Sequence, residues 1–528
     1  MQIFLYYLIV LTIYVAISGY GASFNNKHSK TYQNDINLNN LLNFVIGTIL
    51  LSILGFILYL LHATNLYINI IIIIFGLFLF YKNKNIKIND FLFSSLVLLL
   101  IFSGLIISKT HEDFITYHFP FIEIITNSKP ILGLGRVEIN YIYTPLISYF
   151  QKLFVLPNLD YKLLHVPIFL LYFSIINYLC KEIFFKNKVN LIYLFVLIFY
   201  LTKFTRLSEY GYDYLVTFFI TIIIIFYVNE NKNENLKINF FIYVLIFIYS
   251  LTLKNITIFF LPILLIIFFY KKKEILIELK NNFNKHLPII LFTLLLATTY
   301  ILEGFLKSGC LINFIIFSCI ENEKVFWSLN KIEILEISNH VKLWAKGFYH
   351  QPQGQELSKD IYMSGLNWFP NWYNIHFHYK VIEFIGILTF IFFIIFLFTL
   401  SKNNIVGKEK QISKNFIFFC LLSILIWFLI IPQLRFGSGL ILSFYVFSLA
   451  SIFSVNDRIF ESKKYIIFII FLSILLFNLK NITRIDDEFK RNDKYKFKNF
   501  PFISVIDYAK PSTFNQRFEK ALKKRFVN

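Results

Sequence analysis

The chain has 528 residues, 57% of them hydrophobic and 20% aromatic, and the apolar residues gather in runs near the ~20 that cross ~30 Å of hydrocarbon. A soluble globular fold is excluded. The formal charge of +20 does not indicate a nucleic-acid partner either, because lysine and arginine fall mostly in short segments between those runs, the distribution that orients membrane proteins.

In chain order, continuous apolar runs predict helices over 2–20, 41–63, 67–81 and 90–108, then 161–180, 189–205, 211–228, 237–253 and 255–270, and finally 287–303, 379–400, 415–431, 436–455 and 464–480. They amount to about 12–14 membrane spans in an all-α polytopic protein. Their continuity excludes the alternating strands of a β-barrel. The first run, Ile3 to Ser18, has no basic leader and no small-residue cleavage site after it, so it reads as a retained helix. Alternating the helices collects Lys82, Lys186, Lys271 to Lys273, Lys410 and Lys464 on one side, which the positive-inside rule makes cytoplasmic. The predicted divisions are helices over 1–108, a first outer loop over 109–160, central helices over 161–303, a second outer loop over 304–378, C-terminal helices over 379–480 and a basic tail over 481–528. That tail, ending EKALKKRFVN, reads either as a small outer domain or as a segment lying on anionic headgroups.

The first outer loop carries the densest chemistry. Its opening, THEDFITYHFPF, sets Glu112 and Asp113 just outside a span, with Tyr117 and His118 following. Ionisable groups at a membrane boundary are costly enough to point to function, and in a helix Asp113 and Tyr117 share a face. Asp113 suits a general base acting on an acceptor hydroxyl; a helix cap or solvated carboxylate is the plainer reading. His111, Asp113 and His118 are also types that bind divalent metals, in a spacing that matches no established motif. Downstream, PFIEIITNSKPILGLG is partly amphipathic and ends at Gly133 and Gly135, the pattern of a helix lying along the membrane surface. Arg136 comes next, either to pair with a lipid phosphate or to snorkel toward headgroups. Arg206, Glu209, Asp213, Lys254 and Asn255 sit at predicted helix junctions, where they line the same cavity or simply hydrate tight turns.

In the second outer loop, Cys310 and Cys319 are placed to form a disulfide in an oxidising compartment, with two free thiols as the alternative. Four of the five tryptophans lie between Trp327 and Trp372, where they stack on sugar rings or form an interfacial belt. His340, Lys346 and His350 are candidate substrate contacts in the same stretch. Further on, IPQLRFGSGL holds Arg435 between two apolar runs. That position is expensive unless the guanidinium meets an anion or snorkels.

Asp113, Tyr117 and His118 at the opening of the first large loop, the Gly133 to Pro145 stretch and the alternating architecture together resemble the bacterial GT-C superfamily of membrane glycosyltransferases. This is the class of the protein mannosyltransferases and the lipid A aminoarabinose transferases. The resemblance implies a GT-C-like bundle with two large outward-facing loops, an acidic active-site residue at Asp113 and a polyprenyl-phosphate sugar donor. It further implies a cation at Arg435 to hold donor phosphate, and inversion at the anomeric carbon. The expected acceptor is a glycan, lipid or protein at the outer face of a bacterial cytoplasmic membrane, with a divalent metal left open and no nucleic acid involved. Two other readings compete: a transporter or flippase of lipid-linked sugars, and a polysaccharide polymerase or ligase resting on outer-loop arginines and histidine.

Overall fold

Short polar side chains start many of the helices, and proline or glycine shapes their ends. Asp35 accepts from the Leu38 amide at 3.1 Å, Asn190 from Ile192 at 2.9 Å and Asn239 from Phe241 at 3.0 Å, each satisfying a donor that the first helical turn leaves open. The structure is a computed structural model that describes residues 2–28, 35–63, 65–83, 88–107, 113, 117–159, 161–186, 189–204, 214–232, 239–312, 315–320, 324–354, 356–400, 414–452 and 463–491.

Its helices, in order, are α1 (Gln2–His28), α2 (Ile36–Leu60), α3 (Leu66–Asn83), α4 (Ile88–Leu100), α5 (Phe119–Asn127), α6 (Leu134–Val137), α7 (Ile147–Lys152), α8 (Val166–Phe184), α9 (Leu191–Lys203) and α10 (Leu215–Lys232). They continue with α11 (Phe240–Leu253), α12 (Leu261–Ser308), α13 (Lys331–Ala345), α14 (Lys359–Met363), α15 (Phe369–Trp372), α16 (Ile382–Leu400), α17 (Asn415–Ile430), α18 (Leu434–Ile452) and α19 (Lys463–Arg491). Among the described residues eight helical stretches are long and apolar enough to cross a membrane, and α4, α9, α10, α11 and α17 are shorter apolar helices.

Burial ranks the helices. The stretch containing α8 is wholly enclosed by protein, α2 is mostly so, and α3 is almost entirely peripheral. On α3, Tyr67, Ile71, Ile74 and Phe78 are all exposed at helical spacing, which is a lipid-facing stripe. Glycine permits the tightest contact: a Cβ on Gly21 would fall 1.7 Å from the Asn43 carbonyl oxygen, and one on Gly47 would fall 2.0 Å from that of Ile17. α1 and α2 therefore touch backbone to backbone.

Hydrogen bonds gather one set of helix ends together. Tyr6 of α1 lies 3.0 Å from His165 at the start of α8, and His165 lies 3.2 Å from the Leu105 carbonyl beyond α4. Lys480 of α19 donates to the Thr202 carbonyl at 2.9 Å, and Lys203 pairs with Glu383 of α16 at 2.8 Å. The Leu146 amide donates to the Thr252 carbonyl of α11, and the Gly133 amide to Leu306 near the end of α12. We call this the loop end. The other end carries Glu182, which pairs with Lys186 at 2.5 Å, and Glu230, which pairs with Lys271.

Several sequence-based expectations change. Residues 255–270 and 287–303 fall in the two arms of α12, whose connecting residues are themselves helical up to a break at Asn282, the one residue with non-helical dihedrals inside it. α4 stops at Leu100 and α19 runs past 480 to Arg491; the tail from 492 lies outside the described residues. α5 does not lie on the surface, since Phe119 to Ile122, Ile124 and Ile125 are all buried. Trp368 and Trp372 are 1% and 3% exposed, so they are core residues, not part of an interfacial belt.

Cys310 and Cys319 form a disulfide. Closing a loop this short is worth about 2–3 kcal/mol in the chain-entropy account. Cys310→Ser with Cys319→Ser is expected to lower the stability of the purified protein by that order. An unchanged unfolding midpoint, with and without reductant, would show that the bond contributes nothing.

Candidate functional site

The connection between α17 and α18 sets the site. Trp427 donates its indole N–H to the Gln433 carbonyl at 3.0 Å, and Trp372 donates to that of Pro432 at 2.6 Å. Two rings thus fix the carbonyls just before Arg435. A Cβ on Gly437 would lie 2.3 Å from the Trp427 ring, so glycine is what lets the indole close over the turn. The Arg435 guanidinium carbon then sits 4.4 Å from the centroid of Trp344 and 5.2 Å from that of Phe436. Lys254, at the end of α11, places its ammonium 5.1 Å from the same Phe436 ring.

A π-helical stretch, Tyr373–Val381, brings His376 into this group. Its Nε2 is 2.9 Å from the Gln433 side-chain nitrogen. Lys346 is 7% exposed, and its ammonium lies 4.7 Å over Trp368. Burial pulls Lys346 below the usual lysine range, and neighbouring Lys342 adds to the effect. The result is a cationic, aromatic-walled grouping, an arrangement suited to an anion carried on an apolar or sugar-bearing molecule.

Beside it runs a second polar chain. Asn255, next to Lys254, accepts from the Tyr300 hydroxyl at 2.5 Å. Glu303 and Lys307 continue that face of α12, paired at 2.6 Å. The Lys307 ammonium also donates to the Thr144 carbonyl at 2.7 Å and hydroxyl at 2.9 Å, and lies 4.5 Å over Phe121. The first loop is thereby fastened to the end of α12.

The predicted residues are distributed unevenly over this framework. Asp113 is half-buried, six residues beyond Ile107, whose carbonyl accepts from Arg484 at 2.6 Å; that puts it at the loop end. The rings of Tyr117 and His118 are 4.2 Å apart, and His118 is buried. Arg136 donates to the Phe326 carbonyl at 2.5 Å, joining the two loops. His340 lies 2.5 Å from the Tyr349 hydroxyl on the exposed side of α13. His111, Glu112, Arg206, Glu209 and Asp213 lie outside the described residues. Among the described residues no group of three or more histidine, cysteine or acidic side chains is placed to hold a metal.

Sequence reasoning missed His376, Gln433, Glu303, Lys307 and Lys152. The Glu303–Lys307 pair had a signal, an acid and a base at i and i+4 at the end of an apolar run. Lys152 had none. It is 2% exposed, with its ammonium 3.4 Å from the Ile125 carbonyl and 5.5 Å from the Tyr59 ring. Burial lowers its pKa to about 7. Because the folded value lies below the unfolded one, the unfolded chain binds the extra proton between them and stability rises with pH from about 7 to about 10. Thermal unfolding in detergent should show that slope, and Lys152→Met should flatten it; an identical slope in the variant would place the titrating group elsewhere.

The helical bundle and its buried ends define an integral, multi-spanning, all-helical membrane protein. Within that class the chain belongs to the family of the domain of unknown function DUF8201, whose model matches residues 1–442. No curated protein and no solved structure matches the chain.

Proposed function

We propose that this protein is a membrane glycosyltransferase that moves a sugar from a polyprenyl-phosphate donor to a hydroxyl of a glycan, lipid or protein acceptor. The observation that carries the reading is the cationic pair of Arg435 and Lys254 against Trp344 and Phe436, at the end of the bundle where Asp113 also lies. A phosphate tied to a long hydrocarbon needs such a site: a guanidinium and ammonium for the head, within reach of the bilayer for the tail. The Cys310–Cys319 bond supports an outward, oxidising location for this end, in keeping with the positive-inside assignment of the other to the cytoplasm. A bacterial cytoplasmic membrane is the setting proposed.

In the reaction, Asp113 takes the acceptor proton as the acceptor oxygen bonds to the anomeric carbon. The bond from that carbon to phosphate oxygen breaks through an oxocarbenium-like state. The electron pair leaves with the polyprenyl phosphate, whose charge Arg435 and Lys254 offset.

A second reading, a polysaccharide polymerase or ligase, is favoured by the buried His376, whose Nε2 lies 2.9 Å from the side chain of Gln433, two residues before Arg435, with the imidazole as base in place of Asp113. Purified protein is to be offered a panel of polyprenyl-phosphate sugars, comparing wild type with Asp113→Asn and His376→Gln. Loss of transfer in Asp113→Asn alone supports the glycosyltransferase reading. Loss in His376→Gln alone moves the base to the imidazole. Movement of the lipid across the bilayer with no sugar transferred would replace both with a flippase.

A further inference from the structure

At the end of the bundle opposite the candidate site, α12 extends beyond its neighbours. Its first arm leaves the bundle at Lys271, whose ammonium bonds Glu230 and lies 5.0 Å from the Tyr243 ring. The chain rejoins the bundle at His286, whose Nδ1 is 2.7 Å from the Asn239 side-chain nitrogen. Asn239 and Tyr243 are four residues apart at the start of α11, and Tyr300 meets Asn255 at the far end of both arms. The helix therefore doubles back between Lys271 and His286, around the break at Asn282, and residues 272–285 form a projecting hairpin.

The composition of that hairpin is unusual for a segment leaving the apolar part of a bundle. Leu276, Ile277 and Phe283 are 57%, 60% and 51% exposed. Lys272, Lys273, Lys280 and Lys285 are also exposed, and none of them has an ion pair among the described residues. Lys272, Leu276 and Lys280 follow one another at i, i+4 and i+8, with Lys273 and Ile277 in the adjoining row, so ammonium groups and apolar side chains share a face. Glu278 is turned toward His286 at 3.8 Å, away from that face. In water the hairpin would leave three large apolar side chains exposed for no return. At a headgroup layer the apolar groups enter the acyl boundary while the lysine stems lie along it and carry their charges to phosphate. Both arms of α12 belong to an apolar stretch long enough to cross a membrane, which holds the hairpin at that depth.

We propose that residues 272–285 are a docking surface for anionic phospholipid headgroups of the leaflet at this end. The partner is the lipid surface itself, selected by negative charge, and the inference does not depend on the sugar-transfer reading.

The test uses the full chain with an environment-sensitive fluorophore on Ile277→Cys; Cys180 and Cys420 are buried and Cys310 and Cys319 are bonded to each other, so labelling is directed to the new thiol. The protein is placed in nanodiscs of phosphatidylcholine alone or with added phosphatidylglycerol, each containing a doxyl-labelled lipid as quencher. Quenching is expected to be about twofold stronger with phosphatidylglycerol, and K272Q/K273Q/K280Q/K285Q is expected to remove that difference while the protein remains folded. Equal quenching in the two lipids would overturn charge selection. Solvent-like emission in both, or a signal that appears only when discs hold two protein copies, would overturn the lipid surface as partner.

Discussion

Arg435→Gln is expected to reduce sugar transfer from a polyprenyl-phosphate donor by about 10²–10³-fold, the usual cost of removing one group aimed at developing charge. The guanidinium lies between two aromatic rings, 4.4 Å from Trp344 and 5.2 Å from Phe436, so its orientation is set before substrate arrives. Arg435→Lys should recover only part of the loss, since an ammonium keeps the charge but neither stacks in the same way nor offers the paired donors of the guanidinium. Donor binding and turnover measured separately would check this. A variant with full turnover and unchanged donor affinity would remove Arg435 from the site.

The largest effect on stability is expected from Lys307→Met. Glu303 and Lys307 are 4% and 2% exposed, and the lysine also holds both oxygens of Thr144. Removing one partner leaves a buried carboxylate without its cation, at a cost of about 3–5 kcal/mol. Glu303→Gln with Lys307→Met should return much of that loss, because the isolated charge is gone. Unfolding in detergent, with the single and double variants compared, reads this directly; a double variant as unstable as Lys307→Met would mean that the bonds to Thr144, not the charge balance, matter most. The same pair couples fold to site, since Thr144 follows the stretch Ile139–Tyr143 in the first loop.

The helices were legible because apolar runs long enough to cross a bilayer leave few alternatives. Details that depend on neighbours were not. The stretch of α5 has the polarity pattern of a surface helix, yet nine residues cannot reveal whether the apolar side meets lipid or protein. The polar stretch KKKEILIELKNNFNKH divides α12 into two arms as its composition suggests, but its own helical geometry on both sides of Asn282 was not legible. Trp368 and Trp372 suit an interface by type but pack against each other and Phe428. At the candidate site, Arg435 stood out by its cost between apolar runs. His376 did not, because its approach to Gln433 joins residues 57 positions apart, and only the folded chain supplies that contact.

The proposed reaction requires Asp113 and Arg435 to lie close enough to meet the same donor head. Asp113→Cys combined with Arg435→Cys, treated with a short bis-maleimide in membranes, measures their proximity in the assembled protein. A cross-link within one chain is expected. Failure to cross-link while each single variant labels readily would contradict that proximity.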